Sequence, residues 1–188
     1  MTSIGARIEH ATTELAGGRT GVRETNDELA SFEAWYRAEH PRLLAALAVA
    51  CGDRHVAQDV AAEAFARALS AWRRVSAMDE PTGWTYRVAV NLLKRRARRA
   101  STESRVLGSL APTFVAASDH EAVELWDAVA GLPPRERLAI ALRYASGLSE
   151  AEVAVAMGVA TGTASSTLAS ARRRLALALQ DETEPAHD

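Results

Sequence analysis

The sequence has a single cysteine, few aromatic residues and no long apolar run. One cysteine, Cys51, excludes an internal disulfide and a cysteine-rich metal site. No apolar run approaches the roughly 20 residues of a membrane-spanning helix, and the first residues lack the apolar core of a signal peptide. We therefore expect a cytoplasmic protein without membrane insertion.

Strand-like runs of valine, isoleucine and tyrosine are also missing. Aromatic residues make up 5% of the 188 residues, whereas hydrophobic residues make up 48% and alanine and leucine dominate them. This composition favours helices over strands. The formal net charge of −2 gives no sign of nucleic-acid binding by the whole chain, so the distribution of charge matters more than its sum. The composition predicts an all-α fold.

Motifs of catalysis are scarce. The chain has no glycine-rich phosphate loop and no G-x-S-x-G turn. Asp59 and Glu63 lie on one helical face with His55 one turn before them, but a di-metal bundle also needs Glu-x-x-His pairs on facing helices. We expect no catalytic residue, metal or cofactor. A helical metallo-hydrolase built on these three residues is the enzyme alternative, and metal analysis would decide it.

The pattern along the chain predicts two small helical domains joined by a flexible linker. The leader is polar, and we expect Gly17, Gly18 and Gly21 to break any helix there. Helical periodicity begins at Ser31, with Pro41 expected to start a new turn. A stretch rich in Ser, Gly and Pro separates the two periodic parts. The predicted segments are a flexible leader 1–28, a first domain 29–100, a linker 101–119, a second domain 120–180 and an acidic tail 181–188.

A basic run ends the third predicted helix of the first domain, in WTYRVAVNLLKRRARRA. Its cations surround the helix, so they cannot all form pairs within it. One interpretation is a solvated helix C-terminus, which favours cations through the helix dipole. The other is a surface that follows a phosphate backbone. Trp84, Tyr86 and Asn91 just upstream could stack on or hydrogen-bond to unpaired bases, although Trp84 also suits a core.

The second domain ends in a pattern typical of a helix-turn-helix. Ser149 and Glu152 form a capping box that opens a short helix, Gly158 supplies the turn, and a longer helix follows from about Ala160 to Leu179. The arginines of that helix, 172–174, come late, after turns of small residues. Many helical hairpins share this pattern, so it leaves a structural helix as an alternative.

Together these segments resemble the extracytoplasmic-function group of bacterial RNA polymerase sigma factors. FEAWYRAEHPRLLAAL, DRHVAQDVAAEAFARALSAW and GWTYRVAVNLLKRRARR are similar, in order, to the successive parts of sigma region 2. LPPRERLAIALRYASGLSEAEVAVAMGVATGTASSTLASARRRL is similar to sigma region 4. The resemblance implies a region 2 helical bundle and a region 4 helix-turn-helix, hence an alternative sigma factor that binds core polymerase, directs it to promoters and helps to open the −10 element.

The resemblance also implies partners and roles. The partners are the β′ clamp helices and β flap of core polymerase, promoter DNA, and an anti-sigma factor that masks both domains. The polymerase-binding residues would be Asp59 and Glu63. One base of the −10 element would be flipped into the turn Met78 to Thr82. The −10 element would meet Met78, Asp79, Asn91, Lys94, Arg95, Arg96, Arg98 and Arg99. The −35 element would meet Gly162, Thr163, Ser165, Ser166, Ala169, Arg172 and Arg173.

The sequence departs from the family pattern at several positions. Family members commonly carry basic residues where this chain has Ser165, Thr167 and Ser170, and Gln58 stands where an acidic residue is frequent. The linker is also less acidic. These differences bear on the strength of −35 recognition. The alternative function is a stand-alone helix-turn-helix transcriptional regulator, although such regulators carry a receiver of alternating strands and helices, which residues 31–100 do not predict.

Overall fold

A computed structural model describes the backbone of residues 3–107 and 120–181 and the side chains of residues 26–99 and 125–180. Within these ranges the chain is helical and contains no strand. The helices are α1 (Ser3–Cys51), α2 (Arg54–Ser70), α3 (Trp72–Val75), α4 (Pro81–Leu107), α5 (His120–Gly131), α6 (Pro134–Ile140), which continues into a π-helical turn (Ala141–Ala145), α7 (Glu150–Met157) and α8 (Thr161–Asp181).

Helix α1 is longer than the sequence predicts. It passes through Gly17, Gly18 and Gly21, where we expected any helix to break, and through Pro41. A glycine inside a helix costs about 1 kcal/mol relative to alanine but keeps its backbone N–H, so it weakens a helix without stopping it. The prediction of a break was therefore wrong. The flexibility of residues 1–28 stays a prediction.

The boundaries of α2 and α4 also differ from the pattern. Helix α2 ends at Ser70, and the short α3 follows at Trp72, whereas the apolar spacing from Val56 to Trp72 predicts a single helix. Helix α4 begins at Pro81, with the ring at the first helical position, and runs to Leu107, seven residues into the predicted linker. Residues 101–107 contain neither glycine nor proline, so the helix has no local reason to stop there. The predicted linker residues 108–119 and tail residues 182–188 lie outside the described residues.

The packing divides the chain between Ala38 and Glu39 into two compact units. In the second unit α4 packs against both α2 and α7. Tyr86 of α4 is fully buried, and its hydroxyl lies 3.4 Å from Glu39 Oε2. Burial is the main cause of the raised pKa of the Tyr86 hydroxyl. The Ser146 hydroxyl, also buried, donates to the carbonyl oxygen of Arg42 at 3.3 Å.

The last two helices form the predicted helix-turn-helix. Ser149 Oγ accepts from the backbone N–H of Glu152 at 3.2 Å, and the Glu152 carboxylate accepts from the Ser149 N–H at 2.7 Å, which confirms the capping box. Gly158 ends α7 at φ +70°, a conformation in which a side chain is strained. Helices α7 and α8 meet at an angle of 105°. This geometry lies within the usual range of a helix-turn-helix.

Among the described helices, none taken alone has the length and apolar composition of a membrane span. Helices α7 and α8 pass that test only as a sharply bent pair.

Candidate nucleic-acid interface

One side of α4 carries exposed polar and cationic residues beside an open groove. Asn91, Arg95 and Arg98 are exposed and follow Trp84 and Val88 at helical spacing, so all five lie on the same side of α4. Arg99 is exposed a turn after Arg95. The structure thus brings most of the predicted −10 residues of α4 to one accessible surface.

The groove beside this surface has a volume of about 430 Å³ and lies between α2, α3 and α4. Its apolar part is formed by the Trp84 ring and Val88, while Arg67 and Arg74 supply guanidinium groups. An aromatic ring with nearby guanidinium groups can hold a planar base by stacking. No local sequence pattern marks the two arginines as parts of one groove, because they come from different helices. The complete lining is Glu63, Ala66, Arg67, Ser70, Ala71, Arg74, Trp84 and Val88.

A second side of α4 is covered by α7. A Cβ placed on Gly83 would lie 3.2 Å from Val155 Cγ1, so this glycine allows α7 to approach closely. One turn later, Arg87 lies near Gly158. Further along α4, Lys94 Nζ donates to the carbonyl oxygen of Met157 at 3.2 Å. The structure therefore places Lys94 against the end of α7.

The surroundings of Lys94 disfavour its charged form. Partial burial, and next the guanidinium groups of Arg135, Arg98 and Arg87, lower the pKa of the Lys94 ammonium. A site where several cations converge gains free energy when an anion such as a phosphate enters it. The end of α7 therefore lies against the part of α4 that carries Arg87, Lys94 and Arg98.

The predicted polymerase-binding residues are both tied to arginines. Asp59 Oδ2 accepts from Arg96 Nη1 of α4 at 3.0 Å, and the Asp59 side chain remains 65% exposed. Glu63 pairs with Arg67 one turn along α2. Arg96 therefore points toward α2 rather than toward the groove. The structure links one predicted −10 residue directly to one predicted polymerase-binding residue.

The turn between α3 and α4 contains Met78 and Asp79. Met78 is half-buried, and its N–H donates to the carbonyl oxygen of Val75 at 3.1 Å. Asp79 is exposed. Thr82, which we had placed at the end of the turn, belongs to the first turn of α4.

The exposed side of α8 is built from small residues. Gly162, Ser166 and Arg173 are exposed and Ala169 is half-buried, at spacings that place them on one side of the helix. Thr163 is exposed further round, and its carbonyl oxygen accepts from the hydroxyls of Ser166 and Thr167. The packing side consists of the fully buried Ala164, Leu168 and Ala171.

Ser165 and Arg172 are held by one carboxylate of α7. Ser165 Oγ donates to Glu150 Oε2 at 2.5 Å, and Arg172 Nη2 lies 3.3 Å from Glu150 Oε1. Hydrogen bonds, first from Ser165 and then from Arg172, lower the pKa of Glu150. Arg172 Nε also donates to the Tyr144 hydroxyl at 2.9 Å. These two predicted −35 residues therefore lie at the border of the exposed side, bound to α7.

A second carboxylate holds the opposite border of α8. Ser170 Oγ donates to Glu136 Oε1 of α6 at 3.0 Å, and Arg174 Nε lies 3.1 Å from Glu136 Oε2. Nothing in the sequence indicates that α8 contacts Glu136, Glu150 and Tyr144. No periodic pattern connects these residues to α8, because each contact joins different helices. Arg173 is the arginine of this run that forms no ion pair with the described side chains.

No group of three or more histidine, cysteine, aspartate or glutamate side chains that could hold a metal occurs among the described residues. The carboxylates of Asp59 and Glu63 pair with arginines instead.

Two family models match the chain. Residues 27–103 match sigma-70 region 2, and residues 122–175 match sigma-70 region 4. No curated protein matches in sequence. The region 2 match covers the domain in which a stand-alone helix-turn-helix regulator would differ, so that alternative is not favoured.

Two solved structures share the fold. One is the sigma factor RpoE in complex with the anti-sigma factor NepR from Bartonella quintana, with a TM-score of 0.72 and 21% identity, covering 80% of this chain and 97% of that one. The other is CnrH in complex with the cytosolic domain of CnrY, with a TM-score of 0.58 and 20% identity, covering 83% of this chain and 91% of that one. With a sigma-70 region 2 followed by a sigma-70 region 4, the chain belongs to the sigma-70 family, as an alternative sigma factor of the extracytoplasmic-function group.

Proposed function

We propose that this sigma factor binds core RNA polymerase in the cytoplasm and divides promoter recognition between α4 and α8. The observation that carries the proposal is that two sigma-70 regions occur in one chain, with exposed cations beside a base-sized groove in the first. The role is one of binding. The chemistry of RNA synthesis belongs to the polymerase, and we assign no catalytic residue to this chain.

In this proposal α4 holds the opened −10 element. Arg95, Arg98 and Arg99 contact the backbone of the single strand, since cations that replace condensed counterions bind phosphates without regard to sequence. The groove beside Trp84 receives an unpaired base, with Arg67 and Arg74 at its edge. Asn91 lies between the groove and the cations, where its amide can hydrogen-bond to a base edge. Met78 and Asp79 contact the same strand from the turn before α4.

Helix α8 would enter the major groove at the −35 element. Its small residues, the exposed Gly162 and Ser166 and the half-buried Ala169, allow the backbone to approach the base edges closely. Arg172 and Arg173 would contact flanking phosphates. Because Arg172 already pairs with Glu150, its share of the phosphate attraction is reduced. Weak binding by α8 suffices when both domains are held on one polymerase, because the second contact becomes intramolecular.

In this proposal α4 and α7 separate when they bind the two promoter elements. Lys94 donates to Met157 in the present structure, and separation would free this donor for a phosphate. Binding of core polymerase to α2, through Asp59 and Glu63, would favour the separated form if only that form fits the polymerase. The ion pair from Asp59 to Arg96 places this contact next to α4.

We extend the proposal to an anti-sigma factor. RpoE and CnrH, whose folds this chain shares, are each seen in complex with another protein, which for RpoE is named as an anti-sigma factor. A partner that holds α4 and α7 together would keep Lys94, on the side of α4 that α7 covers, from promoter DNA.

Run-off transcription with core polymerase on a promoter library tests the proposal. We expect promoter-specific transcripts and co-purification with core. Asn91→Ala should weaken promoter opening more than core binding, whereas Asp59→Arg should do the reverse. Asp127→Arg is the matched control, because Asp127 is an exposed carboxylate on α5, outside both surfaces. Equal effects of the first two variants on both steps would contradict the assigned roles, and absence of any promoter-specific transcript would contradict the function itself.

A further inference from the structure

The two carboxylates that flank α8 determine whether its hydroxyls can donate hydrogen bonds to DNA. Ser165 Oγ lies 2.5 Å from Glu150 Oε2, and Ser170 Oγ lies 3.0 Å from Glu136 Oε1. An ionised carboxylate has no proton to give, so the serine is the donor in each pair. A hydroxyl has one proton, and both serines therefore give theirs to the protein.

The neighbouring hydroxyls also act as hydrogen-bond donors within the protein. Ser166 Oγ and Thr167 Oγ1 both donate to the carbonyl oxygen of Thr163, at 3.0 Å and 2.7 Å. A carbonyl oxygen also only accepts. Between residues 165 and 170, every hydroxyl on α8 thus has its proton engaged and keeps only lone pairs for an outside partner.

Glu150 holds the Ser165 hydroxyl firmly in this state. Its other oxygen accepts from Arg172 at 3.3 Å, and the two hydrogen bonds favour the ionised form of the carboxylate at neutral pH. Rotation of the Ser165 hydroxyl toward DNA would leave a carboxylate without its donor. Such a loss of a charge-assisted hydrogen bond is unfavourable.

We propose that Ser165 and Ser166 read the −35 element as hydrogen-bond acceptors only. They would select a base with an exocyclic amino group, adenine or cytosine, over guanine or thymine on the strand that they face. In the major groove adenine N6 and cytosine N4 donate, while guanine O6 and N7 and thymine O4 accept. A serine lone pair against a keto oxygen would leave two acceptors facing each other. The inference rests on the proposed docking of α8 at the −35 element.

A library with a randomised −35 element, transcribed by the holoenzyme, tests this inference. We expect Ser165→Ala to reduce the base preference at one position of the −35 element about three- to tenfold, which corresponds to the loss of one hydrogen bond. At that position the wild-type protein should favour adenine or cytosine on one strand. Ser166→Ala should do the same at a neighbouring position. Ser31→Ala is the control, because its exposed hydroxyl also donates to a helix carbonyl, that of Glu28, but lies on α1.

Glu150→Gln gives the sharper result, since the amide group of glutamine can donate. Ser165 Oγ can then accept from the amide and turn its own proton to the DNA. We expect this variant to tolerate guanine or thymine at the position that Ser165→Ala identifies. Arg172→Gln removes the ion pair but leaves Ser165 bound to Glu150. It should therefore lower transcription from all library sequences alike, without a change in base preference. Melting temperatures of all variants verify that each is folded.

The outcomes separate the inference from the proposed function. A wild-type holoenzyme that shows no −35 preference contradicts the role of α8, and the inference falls with it. The inference alone is overturned when the wild-type protein discriminates among −35 sequences but Ser165→Ala and Glu150→Gln leave every base preference unchanged. The inference is also overturned if the preference at a position depends on Ser165 but favours guanine or thymine on the contacted strand, and Ser165 cannot reach the paired base on the other strand.

Discussion

The two cationic segments of this sigma factor, residues 94–99 on α4 and 172–174 on α8, differ in what their charges contact. On α8, two of the three arginines form ion pairs with carboxylates, Glu150 and Glu136. On α4, Arg96 pairs with Asp59, whereas Lys94 donates to a neutral carbonyl oxygen and lies near other cations. The ion pairs with Glu150 and Glu136 thus offset two of the three positive charges of the α8 segment, and the ion pair with Asp59 offsets one charge of the α4 segment.

This difference shows that a run of basic residues does not by itself measure affinity for phosphate. A paired guanidinium must share its donors or break its ion pair before it binds DNA, and a carboxylate nearby repels the phosphate. We infer that α4 supplies most of the electrostatic attraction to DNA. Helix α8 then contributes base recognition through its hydroxyls more than affinity.

The largest expected effect concerns the contact that covers α4. A Cβ on Gly83 would lie 4.0 Å from Val155 Cβ, a separation that suits a disulfide. We expect Gly83→Cys with Val155→Cys, in a Cys51→Ser background, to form that disulfide and to keep α7 on α4. Run-off transcription should then fall at least about tenfold under oxidising conditions, because the binding-competent fraction is removed. A reductant should restore it.

Each single-cysteine variant in the same background is a control for that experiment. Neither can form the disulfide, so oxidation should leave its transcription unchanged. Cys51→Ser is a mild replacement, because a serine hydroxyl can also donate to the Asp53 carbonyl oxygen, which lies 3.2 Å from Cys51 Sγ. If the oxidised double variant transcribes as well as the reduced one, promoter recognition does not require α4 and α7 to separate.

The next effect compares the two segments directly. We expect Arg95→Ala on α4 to weaken binding of a promoter with an opened −10 element and to lower the slope of log K against log salt by about 0.7, the value for one single-strand phosphate contact. Arg172→Ala on α8 should change the slope less, since its charge is already shared with Glu150. Holoenzyme binding across a salt series measures both. Equal slopes for the two variants would show that the ion pairs on α8 do not reduce its attraction to phosphate.

The sequence predicts this molecule well wherever the signal is local. Ser149 and Glu152 lie three residues apart, so their capping box can be read directly, and Gly158 marks the turn after it. Pro134 likewise sits in the first turn of α6, where a proline is favoured. The glycines of α1 show the limit of such signals, because a weak local preference did not stop the helix.

The rest of the candidate site depends on contacts between distant residues. Lys94 and Met157 are 63 positions apart, and Ser165 and Glu150 are 15 apart on different helices. The sequence identified Lys94 and Ser165 by type and by resemblance, but no spacing rule reveals their partners. Those partners decide which charges are available and which hydroxyls can donate. The composition of a surface was therefore predictable, and its hydrogen-bonding capacity was not.

A smaller effect tests how firmly α4 is attached. Tyr86→Phe removes a hydroxyl that contacts Glu39 and Ser146 while leaving the buried ring in place. We expect a loss of about 1 kcal/mol in the free energy of unfolding, which is the usual net value of a buried hydrogen bond. Denaturant unfolding measures it. Tyr144→Phe is the matched control, since Tyr144 is 60% exposed, and its stability should change less. A larger loss for Tyr144→Phe would contradict this ranking.

The smallest effect is the pH dependence of α7. Hydrogen bonds from the Ser149 hydroxyl and backbone lower the pKa of Glu152 below its ordinary value near 4.3. A carboxyl group whose pKa is lower in the folded protein than in the unfolded chain stabilises the fold at any pH above its pKa in the unfolded chain. This stabilisation disappears as the pH falls through the pKa in the folded protein. Because Glu152 is only half-buried and solvent screens its charge in part, we expect the wild-type melting temperature to fall by no more than about 2 °C from this cause between pH 6 and pH 3. Glu152→Gln keeps an acceptor for the Ser149 N–H without a titrating group, so its melting temperature should decline less over the same range. Asp127→Asn, on the exposed side of α5, should decline as the wild-type protein does. An equally steep decline for Glu152→Gln would mean that the capping carboxylate does not contribute to acid sensitivity, and the stability of the helix-turn-helix would then depend on its buried side chains alone.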